Sequence, residues 1–473
     1  MMLKKKYIRH PGLGIIFILL VIQIPIITIF VPRLHKSSQP IHELNSKRLL
    51  LKNEESYPTS SFVPQEYWKF KNFDVEKWDQ IQSINLRDGP LIDDTQPTEY
   101  FKNISNATVC FIEGTDWTLT SNKDCICNDN YFGTDCGIPD SVWYGHYATH
   151  INSRKLLKRR KHPRRLIQGV LVNHEFDFLE MRIGSSIDVM DAYIIQESNY
   201  TTFGTPRKLE IYERLSSGWL RKYQNKLIYV LLSHFNEKWT ENGWLAESYI
   251  RNHMSLKGLP MISDKHDDDL FLLFDSDEIP NRSVLLFLKL YEGYTEPIKF
   301  GYRWTVFGFF WLKADDPGIL SLLYDSKTEK LLQLYNACTI GMLRKVYGNN
   351  AMLLRKNAYK HKKLKKEFRV YVASHDVKVW NIGTLGHYAG YHCSWCFQPE
   401  GIRRKLLSAQ KNDKPRWGDY PEKTNLTYIQ KLIKSGEWFD GTHPYIRAQP
   451  LDKYYAPSYV LKNSKKYEYL LFP

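Results

Sequence analysis

Leu270-Phe271-Leu272-Leu273-Phe274-Asp275-Ser276-Asp277-Glu278-Ile279-Pro280 is the stretch on which the fold turns. Five consecutive apolar side chains leave no face for water. The run therefore reads as a strand in the middle of a sheet covered on both sides. It ends abruptly in three carboxylates. Along an extended segment residues two apart point the same way, so Asp275 and Asp277 share one side and Ser276 takes the other.

Working outward, Leu166 to Val172, Ala192 to Ile195 and Leu227 to Leu232 are further short apolar runs. Phe176 to Ile183 and Trp244 to Lys257 carry helical spacing between them. Strands alternating with helices predict an α/β domain with a mostly parallel sheet flanked by helices. In such sheets ligands bind beyond the carboxyl ends of the strands, which is where the acidic turn falls. Paired hard oxygen ligands suit Mg²⁺ or Mn²⁺, and a cation so held keeps positions open for phosphate oxygens. Asp267-Asp268-Asp269 lacks that placement and reads as the loop entering the strand.

The 473 residues, 43% apolar, are enough for a large core, and the net charge of +15 needs a partner or a compartment to explain it. Gly12 to Val31 is uncharged and apolar, long enough to span a bilayer, and followed by no small-residue cleavage site; it reads as a signal anchor behind a cytosolic tail, residues 1–11. Export follows, and with it exclusion of nucleic acid as the partner of the basic stretches Arg154–Arg165 and Arg355–Arg369, both read as solvated. Sequons at Asn103, Asn106, Asn199, Asn281 and Asn425 agree with a lumenal chain. Residues 32–109 read as a stem and 138–164 as a basic linker. Between them Cys110, Cys125, Cys127 and Cys136 resemble the C-terminal half of an EGF-like module spanning 110–137. Cys125 with Cys136 and Cys110 with Cys127 are possible pairings that the spacing leaves open. Of seven cysteines, Cys393 and Cys396 are expected in a structural disulfide, with each other or a distant partner, leaving Cys338 as the free thiol.

Further blocks carry a family resemblance: Asn173-His174-Glu175-Phe176-Asp177, Glu197-Ser198-Asn199, the acidic turn, His392-Cys393-Ser394-Trp395-Cys396-Phe397, Trp417-Gly418-Asp419-Tyr420 and Trp438-Phe439-Asp440-Gly441-Thr442. Together they resemble the β-1,4-mannosyl-glycoprotein 4-β-N-acetylglucosaminyltransferase family, the bisecting GlcNAc transferases of glycosyltransferase family 17. The resemblance runs from about Cys110 to the C-terminus and is loose over residues 299–380.

That resemblance implies a GT-A-type domain over 165–473, a UDP-GlcNAc donor, Mn²⁺ or Mg²⁺, an N-glycoprotein acceptor, inversion at the sugar, and a Golgi enzyme of type II topology with a lumenal catalytic domain, tied to the membrane by its own N-terminal helix. The metal candidates are Asp275, Asp277 and His392, with His387 a further imidazole. The nucleotide candidates are Glu175, Asp177, Glu197, Arg251 and Asp275. Inversion needs a general base, for which Glu400, Asp419 and Asp440 are the candidates. Trp395 and Trp417 are placed to stack on sugar or to pack in the core. Two other readings stay open: a family transferase with a different acceptor glycan, and a surface adhesion protein built on the cysteine module with a calcium-binding acidic turn.

Overall fold

The computed structural model describes residues 84–473 except 93–97, 106–107, 122, 146–154, 241, 316–327, 358–360, 363, 376 and 410–412. The expected tail, the apolar span at 12–31, most of the stem and the sequon at Asn106 lie outside the described residues. The chain divides into residues 1–58 and a unit of 59–473, to which every described residue belongs. Among the described residues no helix is long and apolar enough to cross a membrane.

Four strands, β1 (Leu166–Leu171), β2 (Ala192–Ser198), β3 (Leu227–Leu232) and β4 (Leu270–Asp275), run parallel in the order β3-β2-β1-β4. The helices α1 (Phe176–Ser186), α2 (Glu210–Ser216) and α3 (Gly243–Gly258) connect them. Chain order reverses beside β1, so the gap between the ends of β1 and β4 is the topological switch point of this half. Further strands of the same sheet include β5 (Glu278–Pro280), β6 (Ile298–Val306), β7 (Gly308–Asp315), β8 (Leu331–Thr339), β9 (Trp380–Ile382), β10 (Gly390–Ser394) and β11 (Tyr445–Arg447). They extend the sheet beyond β4 as β4-β8-β6-β10-β5, with β8 antiparallel to both its neighbours. The sheet is thus parallel over its first half and mixed over its second, where sequence gave no alternating strand and helix.

Alternation along β4 explains its composition. Leu270, Leu272 and Phe274 enter one apolar cluster with Leu179 of α1 and with α4 (Arg282–Leu290). Phe271 and Leu273 enter another with Met254 of α3. Both faces are covered, as the unbroken apolar run requires. A third cluster joins Phe307, Phe309 and Phe310 to α5 (Pro399–Ser408), α6 (Leu426–Ser435) and the C-terminal residues Leu470 and Leu471.

Upstream of the main sheet, Ile84 and Asn85 pair in parallel with Ile262 and Ser263, and Leu86 is buried. The cysteine module closes through Cys110–Cys125 and Cys127–Cys136, neither of the two pairings anticipated. Each bond instead closes its own short loop, Cys110 to the end of one turn and Cys127 across the next. The module and its flanks are docked, with Phe111 inside it and Phe101 and Ile138 beside it in the same cluster as β4, and the Tyr291 hydroxyl donating to Asp135. His387 belongs to this contact, not to a metal shell: its ring lies 3.0 Å from Asp140 and stacks on Tyr144.

The stretch ending at Arg165 is solvated only in part: Lys155, Lys158 and Lys161 are exposed, but its arginines are engaged. Arg160 and Arg164 pair with Asp268, and Arg165 grips both oxygens of the buried Asp269 at 2.8 Å, tying the start of β1 to the start of β4. Cys393 bonds Cys396, and Cys338 is a buried free thiol whose pKa burial pushes well up. Iodoacetamide without reductant should therefore leave the native protein unlabelled and add one label per chain after unfolding, read by intact mass; labelling of the native protein would contradict this packing.

Candidate functional site

Because β4 alternates, Asp275 follows Phe271 and Leu273 onto the α3 face, where it meets Arg251. Arg251 Nη2 donates to Asp275 Oδ1 at 2.8 Å and its Nη1 lies 2.5 Å from Glu247 one turn earlier. Arg355 lies 3.5 Å from the same Asp275 oxygen and donates to Glu278, which is fully buried. Burial would raise the Asp275 carboxyl, but Arg251 and Arg355 outweigh it and hold it far below the usual carboxylate range. For Glu278 burial prevails over Arg355 and pushes the carboxyl up. The turn itself is clamped on two sides. From α1, the buried Arg182 donates to the carbonyl oxygens of Asp275 and Ser276. From β10, Cys393 N–H donates to the Asp277 carbonyl at 2.9 Å.

This second clamp belongs to a strand pair in which Glu278 stands opposite His392 and Pro280 opposite Gly390. A Cβ on Gly390 would sit 2.4 Å from the Ile279 carbonyl oxygen, so only glycine permits the approach. The acidic turn and the Cys-Ser-Trp-Cys block are thereby one unit. His392 Nε2 comes to 3.6 Å from Asp277 Oδ1, and Lys405 Nζ of α5 to 3.5 Å from Oδ2. Burial opposes the Lys405 charge, but Asp277 and Glu175 outweigh it and raise its pKa.

Of these groups Glu247, Arg251, Asp275, Asp277 and Lys405 open onto a crevice of about 290 Å³ beyond the ends of β1, β2 and β4, while Arg355 and His392 stand behind its lining. Asn173, Glu175, Arg207, Glu247, Arg251, Asp275, Ser276, Asp277 and Lys405 line it, with apolar Val172 and Ile250. Glu175 is buried and accepts from the N–H groups of Asn173 and His174; burial would raise its carboxyl, but His174 and Lys405 lower it.

Other sequence candidates fall elsewhere. Glu197 accepts from the N–H groups of Ile211 and Tyr212 at the start of α2 and from the Tyr229 hydroxyl, so it anchors a helix and does not line the crevice. Asp177 accepts from the Tyr469 hydroxyl at 2.6 Å and is likewise absent from the lining. Glu400 is exposed in the first turn of α5. Asp419 pairs with Arg416, and Asp440 accepts from Thr442 N–H and Oγ1, each closing a local turn. Trp395 and Trp417 both pack against Phe439. Sequence reading missed Lys405, and discounted Arg355 as part of a solvated run. Lys405 lies on an amphipathic helix and Arg355 beyond a short one, and only the fold brings them to Asp277 and Asp275.

A hard divalent cation fits this donor set at Asp277 and His392, whose facing atoms are 3.6 Å apart against about 3 Å for adjacent ligands of one octahedral ion. At Asp275 two guanidiniums already meet Oδ1, so a cation there would compete with Arg251 and Arg355. Among the described residues no three acidic, histidine or cysteine side chains gather around one point, so phosphate and water oxygens would complete the shell.

Residues 145–318, which hold β1 to β7 and the acidic turn, match the model of glycosyltransferase family 17. The chain carries a family 17 segment. Over 351 residues, 74% of its length, it is 41% identical to the β-1,4-mannosyl-glycoprotein 4-β-N-acetylglucosaminyltransferase of Rattus norvegicus and equally to that of Homo sapiens. The alignments take in 61% and 62% of those proteins, so the chain spans about three fifths of the curated relatives it matches. No solved structure matches it.

The depressed Asp275 pKa has a pH signature. The unfolded chain, with an Asp pKa of about 3.9, takes up the proton more readily than the folded one. The stabilisation is full above that value and declines as pH falls below it. Thermal melts from pH 6 to pH 2 should show a steeper acid loss of Tm for wild type than for Asp275→Asn; parallel slopes would remove Asp275 from this account.

Proposed function

We propose that this chain is an inverting, divalent-metal-dependent glycosyltransferase, moving N-acetylglucosamine from UDP-GlcNAc to the core β-mannose of N-glycans in β-1,4 linkage. The observation that carries the reading is the acidic turn at the switch point of a family 17 segment, opening on a crevice with charges of both signs. The curated relatives' names supply the sugar and the acceptor class.

Within this reading Arg251 and Arg355 fix the Asp275 carboxylate at the nucleotide edge, while Asp277 and His392 hold the cation. Bound there, that cation supplies positive charge to the diphosphate as it departs. Lys405 faces the same space and adds to the electrostatic hold on the leaving group. Inversion asks for a base on the acceptor side. Of the three sequence candidates Glu400 alone stands on the helix that delivers Lys405 to the crevice, and it is retained as the proposed base. The adhesion reading, with calcium at the acidic turn, loses support because Asp275 is taken up by arginines.

Purified protein should release UDP from UDP-GlcNAc and an N-glycan acceptor only with Mn²⁺ or Mg²⁺, and Asp277→Ala should abolish turnover with an unchanged circular dichroism spectrum. Glu400→Gln should lower kcat by about 100-fold or more. In cells lacking bisected N-glycans, expression should add one N-acetylhexosamine to the N-glycan mass; no gain would defeat the bisecting assignment while leaving a transferase with another acceptor.

A Golgi location with the catalytic domain lumenal and residues 12–31 as its membrane anchor completes the proposal. The sequons give it a test with site resolution. Asn425 is exposed, and its side-chain oxygen caps α6 by accepting from Thr427 and Tyr428 N–H, which leaves the amide nitrogen for a glycan. Asn281 spends its nitrogen on the Tyr388 carbonyl at 2.7 Å. Glycopeptide mass spectrometry should find a glycan at Asn425 and none at Asn281; an entirely unglycosylated chain would count against export.

A further inference from the structure

Lys405 has a relation to Asp277 that the proposed reaction does not explain. Both oxygens of Asp277 are faced by nitrogen, one by an imidazole that can share a cation with it and the other by an ammonium that cannot. The remaining basic groups near the crevice are committed elsewhere. Arg251 and Arg355 hold Asp275, Glu247 and Glu278, and Arg207 is spent on Asn173 and Glu197. Lys405 has Asp277 as its one salt-bridge partner among the described residues, and that is the carboxylate the cation would claim. Its ammonium lies 5.5 Å from the centroids of the Trp395 and Phe397 rings and its side chain is about a quarter exposed, on a stem of four rotatable carbons.

Resting on the family 17 reading of the site, we propose that Lys405 is an exchangeable counter-ion. It neutralises Asp277 while the crevice is empty and turns to the nucleotide's diphosphate once a divalent cation takes its place at the carboxylate. Two positive charges on one carboxylate repel each other, whereas the diphosphate brings new negative charge within the lysine's reach. The empty site is thereby kept from holding an unpaired, half-buried carboxylate, which would be costly away from bulk water. Cation and nucleotide also become coupled: each binds better when the other has released or received the lysine.

The test separates the two halves of the exchange. Free Mn²⁺ is followed by electron paramagnetic resonance in a titration of wild type and Lys405→Met without nucleotide, and UDP binding by calorimetry at saturating MnCl₂. Lys405→Met should bind Mn²⁺ about tenfold more tightly, because the competing charge is gone, and UDP about tenfold more weakly. Lys405→Arg should keep both values near wild type, and matching melting curves establish that the variants are folded. Mn²⁺ affinity unchanged or weakened in Lys405→Met, or unaltered UDP affinity, overturns the exchange. A wild-type protein that binds neither Mn²⁺ nor UDP would instead sink the underlying reading of the site.

Discussion

A carboxylate placed at the end of a fully buried strand is the constraint from which the rest of this molecule follows. Asp275 emerges between two apolar clusters and stays ionised because Arg251 on α3 and Arg355 beyond β8 meet it. Removing either arginine would leave a half-buried carboxylate short of a partner, a larger loss than that of an exposed surface pair. The arginines in turn need Glu247 and Glu278, and Glu278 needs Asn336. The sheet's extension by β8, β6, β10 and β5 is thus more than bulk, since it supplies the ionic and backbone partners that let the turn exist where an α/β sheet binds its ligands.

Local pattern made the parallel half legible. The apolar runs at 166–172, 192–195, 227–232 and 270–274 and the helical spacing at 244–257 correspond to β1, β2, β3, β4 and α3 within a few residues. Burial on both faces writes itself into composition. The mixed half was not legible, because antiparallel strands such as β8 are half-exposed and their pairing depends on partners far away in the chain. The site divides in the same way. Asp275, Asp277, Glu175 and Arg251 line one crevice, as a reading of strand ends suggests. Lys405 and Arg355 escaped because a cation's partner is set by three-dimensional packing, and a basic run looks solvated until its acids are located.

Glu197 shows the opposite error. It sits at the end of a parallel strand, where a ligand-binding acid is expected, yet its oxygens are consumed by two backbone N–H groups and a phenol. Such a carboxylate shapes the crevice by fixing α2 and leaves the chemistry to others. His387 is similar, a histidine close to His392 in sequence that the fold spends on Asp140 and Tyr144, just past the cysteine module.

The docking of that module bears on how the protein can be trimmed. A fragment begun at Arg165, where the alternation of strand and helix starts, would strip the cover from Phe287 and Tyr291, whose cluster includes Phe101 and Phe111, and would leave Ile262 without its neighbour Ile84. The smallest piece that retains every buried surface described above has to start upstream of Ile84. Part of what reads in the sequence as a stem is a wall of the folded unit.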